Sequence, residues 1–183
     1  MSDEVLVRHC SPTLAGMKTA NLFSCPFASH SEMTACLRQW NRQLNGKGLR
    51  ILPMRFNCGR ALIYTYRPAR LSADLRQELS RRILSERGYT EGAEVRLVAH
   101  LRKRLCQEED FPHEIGLFLG YPPEDVLGFI ENNAEGYRCS GCWKVYTDEA
   151  GALRTFARYR RCTEVYCEQY AKGISIERLT VAG

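Results

Sequence analysis

The sequence lacks long apolar runs, an export signal and low-complexity tracts, and each absence excludes a class of protein. None of its apolar runs approaches the ~18 residues that a membrane-spanning helix requires. Its first residues, MSDEVLVRHCSP, show no basic segment followed by an apolar one, as a secretory signal would. No internal repeat and no long polar tract typical of a disordered chain is present. We therefore predict a cytoplasmic protein that does not enter a membrane.

Common catalytic signatures are missing as well. The sequence contains no GxSxG, HExxH or GxGxxG motif. Gly116 and Gly120 have a GxxxG spacing, but they lack the preceding strand and the following Lys-Ser/Thr of a phosphate-binding P-loop. The sequence thus argues against the enzyme classes that carry these motifs, but it does not identify a reaction.

Length and composition favour one folded domain with reduced thiols. The chain has 183 residues, of which 44% are hydrophobic and 26% charged, as in ordinary globular domains, so we predict a single domain over residues 1–183.

Nine cysteines without an export signal indicate thiols rather than disulfides, and most suit small buried positions. The net charge of +5 is mild, and the arginine clusters fit solvated helix faces better than a nucleic-acid interface.

Periodicity and turn residues predict a mixture of helices and short strands. Ser11 and Pro12 indicate the start of a first helix that continues to Phe23. Further helices are predicted at 30–45, 71–88, from the Thr90 cap to Leu105, and at 110–120, 124–132 and 148–172. Residues 49–56 and 61–67 flank a tight turn and predict a β-hairpin, and 143–146 and 174–181 predict two more strands. About four strands and six helices imply an α+β, or loosely α/β, layered domain with a small mixed sheet.

The segment Cys139-Ser140-Gly141-Cys142 is the clearest candidate for metal or redox chemistry. We take Cys139 and Cys142 as candidate metal ligands, although a zinc site requires two more. The nearest later thiols are those of Cys162 and Cys167, five residues apart on one predicted helix. They point ~140° apart and so do not converge on one metal ion. His113 could instead supply a third ligand. Plain thiols in a turn before a strand are the competing interpretation.

His113 and Glu114 are candidates for acid–base or ligand-binding roles, because imidazole titrates near neutrality and a carboxylate can orient it. The competing interpretation makes Glu114 a first-turn acid that suits the helix dipole, and Asp125 is interpreted in that way alone. Cys10 is the best candidate for a nucleophile, since a thiol just ahead of a helix N-terminus is favoured as thiolate.

Five aromatic residues are further candidates for ligand binding. The side chains that could stack on a flat ligand are those of Tyr64, Tyr66, Tyr121, Trp143 and Tyr146. Aromatic residues in strands also commonly belong to a core, so both interpretations stay open.

Three sequence blocks together resemble an uncharacterised family, a domain of unknown function from clostridia-type anaerobes. They are Cys10-x-Pro12-Thr13-Leu14-Ala15-Gly16-x-Lys18, FPHEIGLFLGYPPEDV at Phe111–Val126, and GxWKVY at Gly141–Tyr146. The resemblance covers nearly the whole chain and brings no established activity. Its members are often encoded near flavodoxins or iron-uptake genes, which implies a role when iron is scarce. Cys142 stands where the resemblance leads us to expect tyrosine, which argues against an essential ligand there.

These observations lead to one main hypothesis and two alternatives. The main hypothesis is a ligand- or metal-binding accessory protein of anaerobic iron and redox metabolism, which takes iron, an iron–sulfur cluster, haem or flavin. Its partner would be a flavodoxin or a small molecule. The expected pocket consists of Lys18, His113, Glu114, Tyr121, Trp143 and Lys144. The alternatives are a cysteine-dependent enzyme with Cys10 as nucleophile and His113 as base, and a nucleic-acid-binding protein that uses arginine-rich helices.

Overall fold

A computed structural model of the protein describes residues 2–107 and 111–183. In chain order its elements are α1 (Asp3–Leu14), β1 (Ala20–Pro26), α2 (His30–Leu44), a 3-10 turn (Asn45–Lys47), β2 (Arg50–Asn57), β3 (Arg60–Tyr66), α3 (Pro68–Leu75), α4 (Glu78–Glu86), α5 (Glu94–Gln107), α6 (Ile115–Phe118), α7 (Pro123–Glu131), β4 (Cys139–Ser140), β5 (Lys144–Val145), α8 (Glu149–Ala171) and α9 (Ile176–Leu179). This mixture confirms the predicted α+β class. None of the helices within these described ranges combines the length and apolarity needed to cross a bilayer.

The described residues form two compact units. Unit 1 comprises residues 2–69 and 159–183, and unit 2 comprises the described part of 70–158. The three-stranded sheet, α1, α2 and α9 belong to unit 1, whereas α4, α5, α6, α7 and the β4–β5 ladder belong to unit 2. The single domain over 1–183 stays a prediction.

The sheet of unit 1 is antiparallel, with strand order β1-β3-β2. Its β2–β3 hairpin confirms the predicted one, and Cys58 (φ 45°) and Gly59 (φ 71°) form the tight turn. The ladder register shifts between Pro53 and Arg55, as expected beside a residue that cannot donate a hydrogen bond. Strand β1 pairs along the other edge of β3, at a place where the sequence indicated the end of a helix and a loop.

The first helix lies earlier than predicted. Ser11 and Pro12 occupy the last turn of α1 rather than its start. The first turn carries two acidic residues, where the helix dipole favours them, and the buried residues Leu6, Cys10 and Leu14 recur every four positions. Pro12 thus lies inside the helix, where proline is disfavoured, so the local signature misled the prediction.

Two other elements also differ from prediction. The helix expected at 71–88 is interrupted at Arg76 and Gln77, which separate α3 from α4. The segment 174–181 forms the short helix α9 instead of a strand, and the Ser175 hydroxyl accepts a hydrogen bond from the Arg178 N–H at 3.4 Å. Helices α2, α5, α7 and α8 are confirmed. The predicted helix at 110–120 begins at Asp110, outside the described residues, and α6 occupies part of its remainder.

The buried guanidinium of Arg67 joins three segments of unit 1. Its Nε and Nη2 atoms donate to the carbonyl oxygens of Thr13 and Leu14, each at 2.8 Å. Nη2 also donates to the Val181 oxygen at 2.7 Å, and Nη1 donates to the Lys47 oxygen at 3.3 Å. Arg67 is only 3% exposed, so carbonyl groups replace water around its charge.

These contacts give the block Cys10–Lys18 a structural role. The N–H groups of Met17 and Lys18 both donate to the Pro12 oxygen, and Gly16 has the positive φ, 69°, that such a helix end requires. The block therefore closes α1 and presents the carbonyl groups that Arg67 binds.

We expect Arg67→Met to lower the free energy of unfolding by roughly 3–5 kcal/mol, because it removes the four hydrogen bonds that the buried guanidinium donates to carbonyl oxygens. Chemical denaturation followed by circular dichroism measures the change. The matched control is Arg38→Met on the exposed face of α2, which should change the stability by less than about 0.5 kcal/mol. Equal effects of the two substitutions would contradict the role given to Arg67.

Candidate functional site

Four of the residues predicted to bind a ligand line one cavity in unit 2. They are His113, Tyr121, Trp143 and Lys144. The cavity has a volume of about 170 Å³. Its wall is formed by Phe111, His113, Ile115, Gly116, Tyr121, Asp125, Val126, Phe129, Trp143 and Lys144. The motif Phe111–Val126 and the hairpin strand β5 thus meet at one site.

Aromatic contacts shape this cavity. Tyr121 stacks on Trp143 with ring centroids 5.1 Å apart and an interplanar angle of 29°. The edge of Trp143 also meets Phe156 at 4.6 Å, and His113 meets Phe129 edge-on at 5.0 Å. These distances are typical of favourable ring pairs, so the aromatic wall is packed rather than loose.

Gly116 permits the close approach of the two motif segments. A Cβ atom at this position would lie 2.7 Å from a Val126 methyl carbon and 3.2 Å from the Tyr121 ring. No side chain larger than hydrogen fits there unless Val126 moves.

Asp125 holds Trp143 in place on the cavity wall. Its Oδ2 atom accepts a hydrogen bond from Trp143 Nε1 at 2.8 Å. Its Oδ1 atom accepts from the Tyr146 N–H at 2.8 Å, and from both the N–H and the hydroxyl of Thr147 at 3.0 and 2.9 Å. The carboxylate is 3% exposed, so these four donors supply its solvation. It ties the first turn of α7 to the β4–β5 hairpin.

The sequence interpretation missed this role. It treated Asp125 as an ordinary first-turn acid, and its position within the motif Phe111–Val126 was the one signal that pointed elsewhere.

Glu114 does not line the cavity. Its Oε1 atom accepts hydrogen bonds from Arg104 Nη1 at 2.6 Å and from the Tyr89 hydroxyl at 2.9 Å. Glu114 is 1% exposed, and burial together with the Glu114 charge raises the pKa of Tyr89. The carboxylate expected to bind a ligand instead anchors the start of α6. His113, its neighbour in sequence, is exposed and lines the cavity.

Cys10 and Lys18 belong to unit 1, and neither is among the residues that line the cavity of unit 2. The premise for a reactive Cys10 was a place just before a helix, but Cys10 lies inside α1 and is fully buried. Burial raises the pKa of its thiol to about 12, and the nearby Thr65 and Lys18 side chains lower it by less. The thiol is therefore protonated at neutral pH.

The two candidate metal ligands stand at the β4–β5 turn. Cys139 is half-buried and Cys142 is exposed. Desolvation raises the pKa of the Cys139 thiol, and the carboxylates of Glu149 and Asp125 raise it further, which disfavours the thiolate that binds metal. Within residues 2–107 and 111–183, no group of three or more His, Cys, Asp or Glu side chains is placed to hold a metal ion.

Two further cavities are larger, but the sequence motifs do not meet at either of them. One, of about 390 Å³, lies beside Arg81 and Glu91, whose charges pair with each other. Another, of about 290 Å³, lies in unit 1 beside Cys25, Phe27 and Met33. Neither contains a residue from the motifs at 111–126 and 141–146. The aromatic cavity is therefore the candidate site.

We expect Asp125→Asn to destabilise the protein by about 2–4 kcal/mol, because an amide cannot accept from all four donors. The matched control is Glu124→Gln, at the exposed preceding position in the same helical turn, which should change stability by less than about 0.5 kcal/mol. Thermal unfolding of both variants measures the difference. A stability of Asp125→Asn equal to that of the control would contradict the role of the carboxylate.

The burial of the thiols predicts their order of alkylation. Iodoacetamide should label the exposed Cys58, Cys106 and Cys142 first and Cys10 last, because burial and a raised pKa both protect Cys10. Mass spectrometry of the native protein at neutral pH gives the order. Fast and selective labelling of Cys10 would restore the cysteine-enzyme alternative.

Comparison with known proteins places the chain in a family. The model of the family described as Protein of unknown function (DUF3793) matches residues 6–180, so the chain belongs to that family. No curated protein and no solved structure matches the chain.

Proposed function

We propose that this member of the DUF3793 family is a cytoplasmic ligand-binding protein whose aromatic cavity holds one flat ring. The observation that carries the proposal is the stacked pair Tyr121 and Trp143, fixed by Asp125 on the wall of a mainly apolar cavity. Planar ligands gain both apolar burial and favourable ring contacts on such a wall.

The hydrogen bonds of the wall support a preformed site. Trp143 Nε1 already donates to Asp125, so a ligand need not supply an acceptor for the indole N–H. Tyr121 stacks on the indole. Because Gly116 has no side chain, Val126 can pack closely against it on the cavity wall. Binding to a preformed wall costs little ordering of side chains, which favours affinity even for a small ligand.

The volume limits the ligand. A cavity of about 170 Å³ is close to the ~150 Å³ that holds one benzene molecule, and well below the ~300–1,000 Å³ of pockets for drug-sized ligands. A single ring therefore fits, whereas a whole haem or flavin would contact it only with an edge. The iron and redox setting and a flavodoxin partner stay predictions that rest on the sequence resemblance.

The two alternatives have less support from the contacts. A cysteine enzyme that used Cys10 would need an accessible thiolate, and this thiol is buried and protonated. Nucleic-acid binding would use exposed arginines such as Arg154, Arg158 and Arg161 on α8, the last of which pairs with Glu164. Both stay predictions.

Nuclear magnetic resonance tests the proposal directly, because the chain has only two tryptophans. Titration of 15N-labelled protein with indole, phenol and benzamide should move the indole N–H signal of Trp143 saturably, with dissociation constants of about 1 mM or lower. Trp40 is the internal control, since it is 1% exposed in unit 1 and donates to Asp3. Its signal should stay in place.

Tyr121→Leu provides the matched variant, because it removes the stacked ring while keeping an apolar side chain at the same position. We expect the affinity for these probes to fall about fivefold to tenfold, in line with ~1 kcal/mol for a ring pair. If none of the three probes moves the Trp143 signal of the unaltered protein, the proposed function is wrong.

A further inference from the structure

We propose that the ring held in this cavity carries a carboxylate, which binds the ammonium group of Lys144. The inference rests on the proposed function, because it assigns the charge of the same ligand. Lys144 is half-buried on the cavity wall, and it forms no ion pair with a carboxylate of the described residues. Its Nζ atom lies 5.8 Å from the centre of the Phe129 ring, which also lines the cavity, and an ammonium group beside apolar walls favours an anion as its partner.

The contacts of Lys144 leave part of its binding capacity unused. Its Nζ atom donates to the Ala134 oxygen at 2.6 Å and lies 4.5 Å from the centre of the Tyr137 ring and 5.8 Å from that of Phe129. These contacts hold the ammonium in place. Two of its three N–H bonds have no acceptor among the residues that the structure describes, so they can bind both oxygens of a carboxylate.

Asp125 is the charged group that opposes this assignment. It also lines the cavity, and a free carboxylate there would repel an anionic ligand. However, its two oxygens receive four hydrogen bonds, and three of the four donors belong to Tyr146 and Thr147 of the neighbouring hairpin segment. Its charge is therefore already solvated by the protein, whereas that of Lys144 is balanced by one carbonyl group and two rings.

The size of the cavity agrees with a ring plus one small polar group. The volume exceeds that of a benzene site by little, which leaves room for one small substituent on the ring. His113 lines the same cavity, and its ring contacts Phe129 without a hydrogen bond to any described residue. Its N–H is available as a second donor to the same group.

The opposite assignment is a cationic ligand. Cavities walled by aromatic rings bind quaternary ammonium groups in other proteins, and Tyr121, Phe129 and Trp143 could act in that way. In this protein Lys144 already presents a cation to the Phe129 ring, and a second cation would be repelled. The sign of the ligand charge thus separates the two assignments.

A charge series of similar shape tests the inference. Benzoate, benzamide and benzamidinium share a ring and a planar three-atom substituent, with charges of −1, 0 and +1. We expect benzoate to bind about tenfold more tightly than benzamide, and benzamidinium to bind least tightly, as judged from the Trp143 indole signal. Equal affinity for benzoate and benzamide, or tightest binding of benzamidinium, would overturn the inference while leaving the proposed function intact.

Two substitutions at one position assign the effect to Lys144. In Lys144→Met the ratio of benzamide to benzoate dissociation constants should fall from about ten to about one, whereas Lys144→Arg should keep most of it. If Lys144→Met does not fold, the charge series on the unaltered protein and the Lys144→Arg variant still test whether the cavity prefers an anion. A benzoate preference that survives Lys144→Met would show that another group binds the anion. Binding of indole or phenol without binding of benzoate would overturn the inference, whereas failure of every probe, indole and phenol included, would contradict the proposed function itself.

Discussion

The cavity depends on one buried carboxylate. Asp125 binds the indole N–H of Trp143 with one oxygen and three donors of Tyr146 and Thr147 with the other. The two-residue strands β4 and β5 are too short to hold a hairpin in place by their own ladder. The carboxylate supplies the missing constraint, because any displacement of the hairpin from α7 would leave a buried charge without donors.

A second buried carboxylate fixes the chain segment that carries His113. Glu114 accepts from Arg104 on α5 and from Tyr89, so the chain just before α6 is attached to the interior of unit 2. His113 stands beside this anchor and lines the cavity instead. Of these two neighbouring residues, Glu114 fixes the backbone and His113 lines the cavity. The two buried carboxylates thus hold in place segments on both sequence motifs that meet at the cavity.

Sequence alone predicted the parts of the fold that nearby residues decide. Helix α2 and the β2–β3 hairpin follow from apolar spacing and from the turn at Gly59. Pairing of β1 with β3 depends on residues about 40 positions apart, and no local pattern indicates it. The same holds at the site. His113 and Trp143 were found by their chemistry, whereas Asp125 resembles any first-turn acid, because its donors lie 18 to 22 residues later.

Hydrogen exchange at the indole N–H of Trp143 in the ligand-free protein is the most direct test of this account. A preformed wall held by Asp125 predicts exchange well below the rate of a free indole, because the N–H is bonded to a buried carboxylate. Exchange at the rate of a free indole, while the rest of unit 2 stays protected, would mean that the tryptophan is not held and that the cavity is not preformed.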